Sequence, residues 1–363
     1  MRYRQYQVLE LRFVHTRTCR CSDLELRTLF LLNARKEFFM LYTDKETGEV
    51  LEILDDTSGT GRDRPWKLKR ENTEKLKIAY DVINPKKAER LKNCATYLEY
   101  EVSVADPTKK RLRRGNFCKV RLCPMCAWRR SLKIYSQMSS IMAEAKKNEQ
   151  YAYVFLTLTV KNCEGEELKN TIDSMMKAWN RFRGYKVIDD VVLGWYRGLE
   201  VTHNLDDKSE SYDTYHPHFH VVLMVNKSYF TSRYYLKQAD WQAYWRKAMR
   251  LDYDPQVDVR KVKGDTAKAV SEIAKYTVKD DDYIIDEDED MMIKTVRLLD
   301  KALSGKRLVA FGGVFKDLHK QLNLDDIEDG DLVHVETDEL DDQDETMRVA
   351  YMWHVGYKQY IKR

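Results

Sequence analysis

The sequence predicts an α+β fold: one central antiparallel sheet, helices packed on one face of it, and a small cysteine-rich lobe alongside. Three observations lead there. Apolar runs of strand length occur at 152–160, 193–202 and 216–225, and turn-forming residues separate the last two. Leu168, Ile172, Met175, Met176 and Trp179 fall at the spacing of one helical face. Four cysteines, Cys94, Cys118, Cys123 and Cys126, gather in one basic part of the chain.

The elements divide the 363 residues into four segments. Residues 1–61 hold an apolar patch at Leu29–Phe39 and have no assigned role. Residues 62–135 read as helical, then cysteine-rich and basic. Residues 150–285 read as strand 152–160, helix 166–183, two hairpin strands, helix 233–250, strand 256–262 and a helix over 266–279. This order suits a single antiparallel sheet with helices on one side. Residues 286–363, with a helix near 290–303, a turn at Gly312-Gly313, an acidic region and a last strand over Val349–Ile361, complete or flank it. No internal repeat is visible, and no run is apolar for long enough to span a membrane.

A hydrophobic content of 43% and an aromatic content of 11% describe a folded protein. The net charge of +4 is too small to identify a nucleic-acid partner by itself. Its distribution says more, since residues 109–133 contain ten Lys or Arg and no acid, while acids collect at 280–290 and 325–345.

Residues 216–220 read His-Pro-His-Phe-His and run on into Val221-Val-Leu-Met-Val225. In a strand His218 and His220 share one face, and Phe219 points to the core. A hairpin centred near residue 209 would set Glu200 opposite His218. Two imidazoles and one carboxylate leave open positions on an octahedral ion, a donor set better suited to Mn²⁺ or Mg²⁺ than to closed four-coordinate zinc. Such an ion polarises a phosphoryl oxygen. His216, beside the pair, reads as a neighbour rather than a ligand, and Thr157 and Thr159 are expected on an adjacent strand.

In the helix over 266–279, Glu272, Tyr276 and Lys279 share one side. About one free tyrosine in a thousand is phenolate at pH 7, so a nucleophilic Tyr276 needs help, which Lys279 one turn away can supply. Glu272 can act as general base on water. Taken alone, these residues read more readily as surface ion pairs and one tyrosine among many. Tyr283 is a poor alternative nucleophile, because Asp280, Asp281, Asp282 and Asp286 around it would repel a phosphate.

Cys118, Cys123 and Cys126, with Cys94 as the best fourth partner, have the spacing of a structural Zn²⁺ site. Seven cysteines, an odd number, and no secretory signal point to reduced thiols in a reducing cytoplasm. The surrounding Lys110, Arg111, Arg113, Arg114, Arg121, Arg129 and Arg130 are expected to contact DNA phosphates. Base readout is assigned to the helix around Trp241, Trp245 and Arg246 or to the C-terminal region.

Phe155-Leu-Thr-Leu-Thr159, His216-Pro-His-Phe-His220 and Glu272-Ile-Ala-Lys-Tyr-Thr-Val-Lys279 together resemble, in order and spacing, the three motifs of bacterial rolling-circle plasmid replication initiators, a branch of the HUH endonucleases. The similarity runs from about Arg64-Pro-Trp66 to Tyr360 and includes the cysteine segment ending in Cys126-Ala-Trp-Arg-Arg-Ser131. It implies that His218 and His220 bind the metal, that Tyr276 nicks one strand of the double-strand origin to leave a 5′-phosphotyrosine, and that Glu272 permits hydrolytic termination. It also implies origin DNA, a host helicase and the replication machinery as partners. A homo-oligomer is compatible with it. Two rivals remain: a transposase or relaxase using the same groups, and a zinc-stabilised DNA-binding regulator without catalysis.

Overall fold

The computed structural model describes residues 40–43, 48, 50–57, 63–262, 279–335, 340 and 343–363. They form a mixed α/β structure with two antiparallel sheets where the sequence suggested one.

The first sheet has the order β1-β2-β11-β10-β3-β4. Its strands are β1 (Met40–Thr43), β2 (Val50–Ile53), β3 (Tyr97–Ser103), β4 (Lys110–Gly115), β10 (Thr346–His354) and β11 (Gln359–Lys362). It therefore joins chain from near both ends, β3 pairing with β10 along seven residues from Thr346↔Ser103 to Met352↔Tyr97. The β3–β4 hairpin lies inside the stretch read as helical and cysteine-rich. Its strand period was hidden because β4 reads Lys-Arg-Leu-Arg-Arg-Gly and buries only Leu112. The last strand predicted over Val349–Ile361 is two strands of a hairpin, β10 and β11.

Helices α1 (Trp66–Ile83), α2 (Pro85–Lys92) and α3 (Pro124–Lys146) accompany this sheet. Asn84 caps α2 by accepting from the Lys87 amide, and Pro85 stands at its first turn, where a missing N–H costs nothing. Trp66 is the hub of the aromatic packing: its ring meets Tyr100, Trp128 and Tyr360 edge-on, and its indole N–H donates to Asp56 at 2.7 Å.

The second sheet has the order β8-β5-β7-β6-β9. Its strands are β5 (Tyr151–Thr159), β6 (Gly194–His203), β7 (Tyr215–Asn226), β8 (Val257–Lys261) and β9 (Val309–Gly313). Helices α4 (Leu168–Arg183) and α6 (Gln238–Met249) follow the predicted order, an unpredicted short helix α5 (Lys186–Asp189) stands between α4 and β6, and α7 (Glu289–Leu303) and α8 (Val314–Gln321) come after. Phe219 packs on Trp179 of α4 and Trp245 of α6, so both helices cover the face opposite His218 and His220. Trp241 and Trp245 are fully buried there and are core residues, not base readers. Gly312-Gly313 is not a turn between elements; both residues pair with β6, Gly312 opposite Trp195 and Gly313 opposite Gly194. Among the described residues no helix is long and apolar enough to cross a membrane.

Candidate metal centres

The hairpin that carries the histidines has the predicted register, with Glu200 opposite His218 and Gly198 opposite His220. Its turn is built as its residues suggest: the Asn204 amide donates to Ser209 Oγ, Ser211 O and Ser211 Oγ, and Asp213 takes the positive φ of 55° that closes the loop. On the other side β5 sets Thr159 opposite His218 and Thr157 opposite His220.

Glu200 and His218 are buried, and three ligand atoms converge there. Glu200 Oε2 lies 2.9 Å from His220 Nε2 and 3.6 Å from His218 Nε2. The His218 Nδ1–H donates to the His216 carbonyl at 3.1 Å, which orients the ring so that Nε2 faces the carboxylate. His216 stacks on His218 without joining the cluster, and burial holds its own pKa below the usual histidine range. Burial opposes ionisation of Glu200, but hydrogen bonds and charge from His218 and His220 outweigh it and keep the carboxyl below the usual carboxylate range.

The donor set fits a divalent cation. Glu200, His218 and His220 offer atoms all within 4.8 Å of one another. Asp282 Oδ2 is buried nearby with no hydrogen-bond partner. Its carboxyl is pushed up to about 6, chiefly by burial and further by the Glu200 charge, against the pull of Lys279. Lys279 itself reaches the cluster, with Nζ 3.8 Å from Glu200 Oε1. Tyr276 and Glu272 lie outside the described residues.

Tyr283 is wholly buried, and its hydroxyl donates to the Leu122 carbonyl at 2.5 Å. Burial raises its pKa well above the usual tyrosine value, so the phenol is no nucleophile, for a reason stronger than the acids around it.

Cys94, Cys118, Cys123 and Cys126 also converge, Cys94 Sγ standing 3.6 Å from both Cys123 and Cys126, and Cys118 Sγ 3.7 Å from Cys126. Tetrahedral zinc with bonds of about 2.3 Å would set its sulfurs about 3.7 Å apart. Three backbone amides, of Cys118, Lys119 and Val120, donate to these sulfurs as they would to thiolates. Lys119 adopts φ 55° to make that loop. Burial pushes the Cys94 and Cys118 thiols up, while hydrogen bonds from the other three sulfurs overcome burial and hold the Cys123 thiol down. Cys163 is buried elsewhere, at the isolated bridge to Tyr215.

The basic residues expected at DNA are largely engaged within the protein. Arg129 and Arg130 are buried: Arg129 donates to the Leu332 and Val333 carbonyls, and Arg130 to Glu328 and Lys119. Arg121 pairs with Glu328 at 3.1 Å. Arg111 and Arg113 pair with Glu101 and Glu99 across the β3–β4 hairpin, and Lys110 donates to the Asp55 carbonyl. Arg114, within 4.0 Å of Glu99, keeps 65% of its side chain exposed. Sequence reasoning missed the anchoring of 280–286, because it read those acids only as a source of repulsion. A run of lysines at matching spacing, Lys69 and Lys75 with Asn72 between them, was the available signal.

A family model described as "Replication protein" matches residues 109–361. The chain is 42% identical over 337 residues to "Protein rep" of Bacillus amyloliquefaciens, covering 85% of this chain and 97% of that protein. It is 46% identical over 273 residues to a "Protein rep" of Bacillus sp, covering 69% and 85%, and 38% identical over 294 residues to one of Lactiplantibacillus plantarum, covering 78% and 90%. No solved structure matches it. Matched by the family model over most of its length, and similar to these relatives along most of theirs, the chain belongs to the replication protein family.

Proposed function

We propose that this protein initiates rolling-circle replication of a plasmid by nicking one strand of the double-strand origin, with Tyr276 as nucleophile. The observation that carries the proposal is the convergence of Glu200, His218 and His220 on one point with the Lys279 ammonium beside them. Lys279 is three residues from Tyr276, and three residues of chain reach no further than about 11 Å. A cation held by Glu200, His218 and His220, either Mn²⁺ or Mg²⁺, would make a bound phosphorus more electrophilic.

The chain's own groups do the rest. Lys279 favours loss of the Tyr276 phenol proton, and the phenol oxygen bonds to phosphorus. The phosphorus–O3′ bond breaks, the 3′ oxygen takes up a proton, and a 5′-phosphotyrosine remains. Glu272 removes a proton from a water whose oxygen bonds to the phosphorus of a later phosphodiester while the phosphorus–O3′ bond breaks and the 3′ oxygen takes up a proton, which ends the cycle irreversibly. The four cysteines would hold a structural zinc ion, and a host helicase would load at the opened origin in the bacterial cytoplasm.

The test uses purified protein, Mn²⁺ and labelled single strands from the origin of the replicon that encodes the chain. A denaturation-resistant adduct is expected from the natural protein and none from Tyr276→Phe. Glu272→Ala should keep nicking and lose release. DNA binding with no adduct from the natural protein would favour the non-catalytic regulator.

A further inference from the structure

We infer that the four-cysteine lobe is a positioning element for the Glu200–His218–His220 centre, acting through the short turn at 279–284; the inference rests on the nicking role proposed above. The turn is tight: the amides of Asp282 and Tyr283 donate to the carbonyls of Lys279 and Asp280, and that of Ile284 donates to Asp280. It begins with Lys279, whose ammonium stands at Glu200.

Three separate elements pin this turn. The Asp280 carboxylate receives Lys69 Nζ on both oxygens, at 2.7 and 2.8 Å, and the Asn72 amide at 2.8 Å. These two donors lie on α1, whose Thr73 hydroxyl is 3.6 Å from Cys123 Sγ. The Tyr283 hydroxyl, fully buried, donates to the carbonyl of Leu122, the residue before Cys123. The His203 Nδ1–H donates to the Asp282 carbonyl at 3.2 Å from the end of β6, three residues beyond Glu200.

The turn therefore touches the strand that bears the carboxylate and, on its other side, the loop that bears two of the four thiolates. A cation in the cysteine cluster would fix Leu122 and Cys123, and through Tyr283 it would fix the stretch of chain that presents Lys279. Without those ties Lys279 has no described element holding it at Glu200 beyond a 3.8 Å ion pair that is half exposed to solvent. Such a pair is weak alone. Misplacement of reacting groups by about 1 Å can cost a hundredfold in rate. Tyr283, Asp280 and Lys69 are thus positioning residues: their hydrogen bonds tie the turn to α1 and to the cysteine loop, and none of them is among the three ligand groups of the centre.

The experiment compares the full-length protein with Tyr283→Phe, which keeps the buried ring and removes only the hydroxyl, and with Lys69→Met. Adduct formation on labelled single-stranded origin DNA is measured at saturating DNA and as a function of DNA concentration. Amide hydrogen exchange at 282–284 and the zinc content are measured on the same samples. The expected result is a rate at saturation about tenfold lower or more, an unchanged half-saturating DNA concentration, faster exchange at 282–284, and undiminished zinc. Combining Lys69→Asp with Asp280→Lys should restore part of the rate lost by Lys69→Asp alone. Natural rates and natural exchange in both single variants would overturn the inference. If the natural protein makes no adduct, the nicking reading fails, while the exchange at 282–284 still decides whether the cysteine lobe holds the turn.

Discussion

At the scale of single residues, Asp282 is the least expected neighbour of the centre. One of its oxygens is buried and unpartnered, and its carboxyl is raised from the usual 3.8 to about 6, by burial first and then by Glu200. Between those values the folded protein holds a proton that the unfolded chain releases. Stability should accordingly rise as pH falls from about 6 toward 4, and the penalty is complete above 6. A shift of about two units corresponds to about 3 kcal/mol, and partial exposure of the carboxylate cuts this to about 1–2 kcal/mol. Asp282→Asn, in protein free of divalent cations, should gain that much at pH 7.5 and nothing at pH 3.5, as read by urea unfolding at both pH values. An equal gain at both would assign the effect to packing. Glu200 was legible in the sequence because a hairpin's register follows from its turn, and the turn residues between Asn204 and Ser211 mark its centre. The state of Asp282 was not legible. It depends on what another element brings beside it, since Glu200 and His203 come from the distant strand β6.

At the scale of elements, strands β5 to β8 of the second sheet, with helices α4 and α6, follow the predicted order, whereas the first sheet was missed. Strands β5, β6 and β7 are apolar and central, so burial on both faces leaves a plain signal. Strand β4 buries one side chain and spends its basic ones on its partner's carboxylates, and that pattern is indistinguishable by composition from a solvated charge run. The edge strand β9 was hidden for another reason. Its Gly312 and Gly313 suggested a turn, but Gly312 is there because a Cβ at that position would strike the Trp195 ring of β6, and Gly313 takes φ 54° as it enters α8. Gly312→Ala should therefore destabilise the protein by about 1–3 kcal/mol through overpacking. Restoring the space with Trp195→Leu in the same chain should recover part of that loss. The check is denaturant unfolding of the two single variants and the double variant, and purely additive losses would exclude the Trp195 contact as the cause.

Across the whole molecule, the two charge blocks that the sequence keeps far apart meet in space. Lys133, Arg121, Arg129 and Arg130 face the loop at 325–333, where the buried Lys133 ammonium is ringed by Asp325 Oδ2 and the carbonyls of Asp326 and Asp331, at 2.7, 2.7 and 3.0 Å. Lys69 and Lys75 of α1 likewise meet Asp280 and Asp286. The bases and acids are thus each other's partners, which changes what the basic stretch can do at DNA. Arg129 spends its guanidinium on the Leu332 and Val333 carbonyls and lies 5.2 Å over the Trp66 ring. Arg129→Met should cost about 2–4 kcal/mol of stability by leaving those carbonyls buried without it. Below its melting transition the variant should bind origin DNA with an unaltered slope of log affinity against log salt, because no phosphate contact has been removed. For Arg114, the most exposed of the seven, replacement by Ala should flatten that slope by about 0.9 if its guanidinium neutralises one phosphate. Fluorescence anisotropy across a salt series reads both slopes, and a loss of about one unit in Arg129→Met would return that residue to the DNA surface.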